Sequence, residues 1–254
     1  MFWADRTTKL AGIALVVLAL LMIGNIVFSM IAVGDADPTN RGEIEGVLRD
    51  VNDHETVFYT GAAFSIASDA VVLVAVAGAL YLTFVDRSRM LAILSLGGIL
   101  AASIAFLVMD AATLGVGLLA ADFVEKGGPA AIPAGDASIL ESARTLALFG
   151  GALDVIGSTA VALGVVSLGA LIAWAPEGRV NPPRWLGGVA ILSGLALVLQ
   201  WPALANEASG MVVITVGYAG GFLFFGLLGL WLLAAPGESA EPRAGGQMVP
   251  GTAG

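Results

Sequence analysis

Apolar residues run through this chain in six long stretches, and charged residues fall almost entirely between them. The stretches are Leu10–Val33, Val57–Val85, Met90–Ala120, Thr145–Ala175, Trp185–Leu204 and Gly210–Ala235. An α-helix needs roughly 20 residues to cross a hydrocarbon core of about 30 Å, and each stretch meets that length. The predicted fold class is therefore all-α: a polytopic transmembrane bundle of six helices, forming a single domain over residues 1–235. The fifth stretch is the shortest and is interrupted near its end by Pro202. The first follows Lys9 and precedes small residues, as a signal peptide would. Its apolar run exceeds the roughly 7–15 residues of a signal h-region, so it reads as a retained span. Residues 236–254, rich in Gly, Pro, Ala and Glu, are expected to form a disordered cytoplasmic tail.

Composition supports lipid as the solvent. The chain is 58% hydrophobic and 12% charged, against about 25% charged in soluble domains. Its mean hydropathy is +0.92. The partner implied first is the lipid bilayer. A net charge of −9 argues against nucleic acid. With no cysteine and one histidine, His54, the chain alone supplies no disulfide, no thiolate site and no multi-histidine metal centre.

Basic residues orient the spans. With the N-terminus cytoplasmic, that side holds Arg6, Lys9, Arg87, Arg89, Arg179, Arg184 and Arg243. The longer outer loops hold only Arg41, Arg49, Lys126 and Arg144. Trp3, Trp174, Trp185 and Trp231 fall at inner boundaries and Trp201 at an outer one, as an aromatic belt requires. Both termini are thus predicted to be cytoplasmic. The connections Asp86–Arg89 and Pro176–Arg184 are short enough to make antiparallel hairpins of spans two and three and of spans four and five. The halves of the chain could form an inverted repeat, but their polar residues do not match.

The outer loops carry further structure. After Asp37-Pro38-Thr39-Asn40, a helix-start signal, Ile44, Val47, Leu48 and Val51 share one helical face. They predict a short amphipathic helix in the first outer loop, on the membrane surface or over the mouth of the bundle. Gly127-Gly128-Pro129 breaks the second outer loop, and Ser138 with Glu141 has the spacing of a capping box leading into span four.

Three carboxylates interrupt the apolar spans: Asp69, Asp110 and Asp154. Counted from the outer ends, they lie roughly 9–12 residues deep, or about 14–18 Å at ~1.5 Å per residue. No Lys, Arg or His lies within any span to pair with them. Each must be protonated, share a proton, bind a cation or line a wet cavity. Gly61, Ser65 and Asp69 share a face, Ser103 and Asp110 stack, and Gly150, Asp154 and Ser158 repeat the small-polar pattern. Asn25 reaches similar depth. If Asp69, Asp110, Asp154, Asn25, Ser65 and Ser158 converge, they form an oxygen-rich site for a hard cation or a proton. The competing reading is structural: a protonated aspartate bonded to a serine or a carbonyl joins helices.

His54 and Glu55 stand at the outer mouth of span two. They offer a pH-sensing group or metal ligand, or else an ordinary exposed loop. The outer loops hold twelve acidic residues against four basic ones, a solvated surface that also concentrates cations at an entrance. Gly217 and Gly221 predict close helix packing within the monomer, and Tyr218 a hydrogen bond inside the bundle.

The chain resembles the prokaryotic six-span family known as domain of unknown function 4386 (DUF4386). The resemblance lies in Asn52-Asp53-His54-Glu55, Ser68-Asp69, Pro183-Arg184-Trp185-Leu186-Gly187 and Leu230-Trp231-Leu232, and covers roughly residues 5–235. It implies a multi-pass protein of a prokaryotic cell membrane and carries no established activity. Three functions stay open: transport or ion and proton handling through the aspartates; a non-catalytic sensor or assembly protein with structural aspartates; and an intramembrane enzyme using Asp110 and Asp154 as a dyad. The first is expected and the third ranks last, since neither aspartate sits in an aspartyl-protease motif. No cofactor motif is present.

Overall fold

The computed structural model describes residues 2–33, 43–125, 137–203 and 207–235. The helix-start signal at Asp37–Asn40, the Gly127–Pro129 break and the tail lie outside them. The described residues form helices and turns. Helix α1 spans Phe2–Val33, and α2 spans Ile44–Asp53. Helix α3, Glu55–Val71, continues through a π turn at Val72–Val76 into α4, Ala77–Phe84. Helices α5, α6, α7 and α8 occupy Arg89–Glu125, Ala137–Trp174, Arg184–Ala203 and Glu207–Ala234. Helix α6 begins at Ala137, so Ser138 lies in its first turn.

Five of these elements are long and apolar enough to cross a membrane: Arg6–Phe28, Glu55–Phe84, Arg89–Glu125, Ser138–Trp174 and Val216–Ala234. The apolar part described for α7, Arg184–Leu199, is shorter. Large apolar side chains such as Leu10, Leu20, Val74, Leu118 and Leu192 point outward, where bilayer lipid would meet them.

Each long helix packs against the next in sequence, and α8 returns to pack against α1, which closes a ring. Glycines permit the closest approaches. A Cβ on Gly98 (α5) would stand 2.6 Å from the nitrogen of Gly164 (α6), one on Gly187 (α7) 2.5 Å from the carbonyl oxygen of Gly169 (α6), and one on Gly12 (α1) 2.9 Å from that of Gly229 (α8). At these crossings backbone touches backbone. Gly217 meets Leu197, and Gly221 meets Ser193, both on α7, so the Gly217/Gly221 face is used inside the monomer.

Two apolar clusters fill the ring. The larger joins Leu15 and Leu18 of α1, Val76, Leu80 and Phe84 of the π turn and α4, Leu168 and Ile172 of α6, and Phe224 and Leu228 of α8. The smaller lies at the opposite end, where Ile44, Val47, Leu48 and Val51 of α2 pack on Phe58, Val116, Phe123, Ile139 and Ala143. All four apolar residues that period 3.6 placed on one face of α2 are buried, and the helix is packed over the bundle. The π turn has a geometric role. One extra residue rotates the downstream helix by about 100°. Without that rotation Ala77 and Phe84 would lie off the face that carries Ser65 and Asp69, yet all four are buried.

The end opposite α2 is held by two buried or half-buried cations. Arg87 donates to the carbonyls of Pro176 (3.0 Å), Ala175 (3.1 Å) and Ile172 (3.5 Å), which have no further helical partner at the end of α6. Burial holds its pKa below the usual arginine value, with neighbouring Asp86 opposing that shift. Lys9 caps the end of α8 in the same way.

Candidate ion-binding site

Asp69 on α3 and Asp110 on α5 meet inside the bundle. Both are buried, at 8% and 4% exposed. Their carboxyls adjoin closely enough to interact as hydrogen-bonding groups, and the Ser65 hydroxyl stands beside Asp110. One oxygen of Asp110, Oδ2, is fully enclosed with no donor in reach. Ser68 does not supply one, because its hydroxyl donates to the Ser65 carbonyl at 2.7 Å. The α3 and α5 helices run antiparallel, with Gly117 of α5 against Phe58 of α3, a register that brings residues 69 and 110 to within about one helical turn of each other in height.

Asp154 is not part of this pair. Ser158 donates to its Oδ1 at 3.1 Å and Tyr218 of α8 donates to the same oxygen at 3.2 Å, while the two hydroxyls are 3.1 Å apart. The expectation of one convergent trio is corrected: the aspartates divide into a carboxyl pair on α3 and α5 and a hydroxyl-bonded aspartate on α6 and α8. The Asp110–Asp154 dyad does not form either, since Asp110 has Asp69 as its carboxyl neighbour. The depth read from the sequence is nevertheless present. Gly157 packs on Phe106 and Gly150 nears Met109, so Asp154 lies at the level of α5 residues just before Asp110. Rotation separates them. Gly157 and Gly164 are what α6 turns toward α5, and Asp154 sits about 60° around the helix from Gly157. Among the described residues, no group of three or more His, Cys, Asp or Glu side chains is arranged to hold a metal ion.

The other expected residues occupy distinct places. Asn25 is half-buried on α1, next to Gly24, which packs on Phe64 of α3. That register puts it about 9 Å from the level of Asp69 toward the α2 end. Ser103 is buried on α5, two turns from Asp110. His54 is exposed at the junction of α2 and α3, its Nδ1 3.0 Å from the Asp50 carbonyl, and Glu55 is exposed beside it. Neither is near the buried pair.

Tyr218 is the site residue that the sequence reading did not assign to an aspartate. Its position in the middle of an apolar helix was the signal, because a buried phenol seeks a hydrogen-bond partner. Ser193 adds another interhelical bond, donating to the Gly217 carbonyl at 2.6 Å. No family model matches this chain, and no curated protein or solved structure is significantly similar to it.

Proposed function

We propose that the chain is an integral membrane protein that crosses the bilayer six times, with both termini cytoplasmic and α2 outside, and that it transports a proton or small cation through the Asp69–Asp110 pair. The observation that carries this reading is the meeting of two buried carboxyls within spans that contain no Lys, Arg or His. Two negative charges at about 4 Å repel by roughly 4 kcal/mol at an effective dielectric of 20. A bound positive species removes that repulsion, and its release and rebinding is a unit step of transport.

Further features support six spans and this orientation. Helix α7 has 20 residues, a rise of about 30 Å. Lys9, Arg87, Arg179 and Arg184 gather at the end opposite α2, with Trp174 and Trp185 exposed beside them. Membership of DUF4386, and with it a prokaryotic plasma membrane, belongs to the same proposal and rests on the sequence motifs alone.

A second reading, a non-catalytic sensor or assembly protein, draws on Asp154, whose two hydroxyl partners make it effective glue between α6 and α8. Enzymatic function is not proposed, because that reading needs Asp110 and Asp154 as a dyad and Asp154 bonds to Ser158 and Tyr218 instead.

Flux separates the readings. In liposomes carrying the purified protein, an imposed pH, sodium or potassium gradient should collapse faster than in empty vesicles. Asp110→Asn should slow that collapse at least about tenfold, since the charge change at the pair is the transport step. If no gradient responds to the wild-type protein, transport is wrong and the sensor or assembly reading takes its place.

A further inference from the structure

We infer that the species held by the Asp69–Asp110 pair is a single proton shared between the two carboxyls, not a divalent metal cation; this rests on the reading of the pair as an ion site. The oxygens available decide it. A hard divalent cation takes about six or more oxygen ligands. Asp69, Asp110 and Ser65 supply too few. The Ser68 hydroxyl is committed to a backbone carbonyl, and the carbonyls of Ser68 and Asp69 already accept from the Val72 amide at the start of the π turn. No third acidic or histidine side chain joins the pair among the described residues. A proton needs only two facing oxygens. An O–H···O⁻ bond between carboxyls is among the stronger hydrogen bonds, and the enclosed Asp110 Oδ2 has no other donor in reach.

The surroundings leave this proton undisturbed by other charges. Helix α1 beyond Lys9, the π turn and α4 carry no charged side chain. The charged residues of α2, Glu45, Arg49, Asp50 and Asp53, lie off its buried face, with Arg49 paired to Glu45 at 2.9 Å. On α6 and α8 the ionisable groups within the spans are Asp154 and Tyr218, which bond to each other.

A proton held in the folded state and lost on unfolding makes stability fall as pH rises, because the folded chain then binds one proton more than the unfolded chain. Between the unfolded aspartate pKa of about 4 and the pH at which the folded pair releases its proton, the folding constant should drop about tenfold per pH unit.

The test is thermal unfolding of the full chain in neutral detergent from about pH 5 to about pH 9. Each pH is repeated with sodium, potassium, magnesium or calcium at constant ionic strength, using the wild type and the Asp69→Asn/Asp110→Asn double variant. The proton site predicts a wild-type melting temperature that declines with pH, a double variant that lacks this component, and no response to any metal ion. Stabilisation by one metal ion at fixed pH, lost in the double variant, overturns the proton while keeping the pair as an ion site. No response to pH or metal that depends on the pair overturns both. If the double variant does not fold, infrared difference spectra of Asp154→Asn, whose only intraspan carboxyls are the pair, decide it. A protonated carboxyl band that disappears as pH rises upholds the proton, and its absence throughout rejects it.

Discussion

The ammonium nitrogen of Lys9, near the start of the first helix, stands 2.6 Å from the carbonyl oxygen of Leu233, near the end of the last. This bond, with those to Leu232 and Ala235, satisfies the open carbonyls at the end of α8 and fastens the first helix to the last where the ring closes. Lys9→Met keeps the length of the side chain and removes the charge. It should destabilise the protein by about 1–2 kcal/mol, as loss of a charged capping bond does. Thermal unfolding in detergent measures it, and an unchanged melting temperature would mean that the cap carries no weight.

The glycine crossings give a sharper contrast. A methyl group at Gly98 would press into the backbone of Gly164, whereas one at Gly97 meets nothing within 4 Å. Gly98→Ala should cost about 1–3 kcal/mol, the usual cost of overpacking. Gly97→Ala should be neutral or slightly stabilising, since alanine favours the helix. Equal effects would place the α5–α6 contact elsewhere.

Asp154 and the Asp69–Asp110 pair are separate in the structure, and additivity can check it. Tyr218→Phe removes one donor to Asp154 and should cost about 1–2 kcal/mol. Combined with Asp110→Asn, the two effects should add within about 0.5 kcal/mol, as independent sites do. Marked non-additivity would join all three aspartates into one network.

Topology can be read directly, because the chain contains no cysteine. Gly46 on α2 and Glu177 in the α6–α7 connection are both exposed. In intact cells, a membrane-impermeant thiol reagent should label Gly46→Cys and should reach Glu177→Cys only after permeabilisation. The reverse pattern inverts the orientation, and labelling of both from outside contradicts the placement of the spans.

Much of this architecture is legible in the sequence because bilayer thickness and helical period act locally. The apolar stretches are helices within a few residues of their expected bounds, apart from the early starts of α1 and α6, and α2 buries the four residues its spacing selected. Depth was legible as well, since it comes from counting residues along a helix. Rotation about each helix axis was not. It depends on neighbours far away in sequence, such as the Gly98–Gly164 crossing, and on the π turn, which no residue type announces. That is why Asp69 and Asp110 could be placed at one height with Asp154, but not told apart from it. Arg87 was legible as a charge beyond the spans. Its role at the end of α6 needed the fold.

The direct test of the account is a double-mutant cycle on the pair, with Asp69→Asn, Asp110→Asn and the double variant compared by reversible unfolding at a single pH. If the two carboxyls form one site, the single effects should fail to add by about 0.5–3 kcal/mol. If they add to within about 0.5 kcal/mol, the carboxyls do not interact, and both the shared proton and the proposed transport step lose their basis.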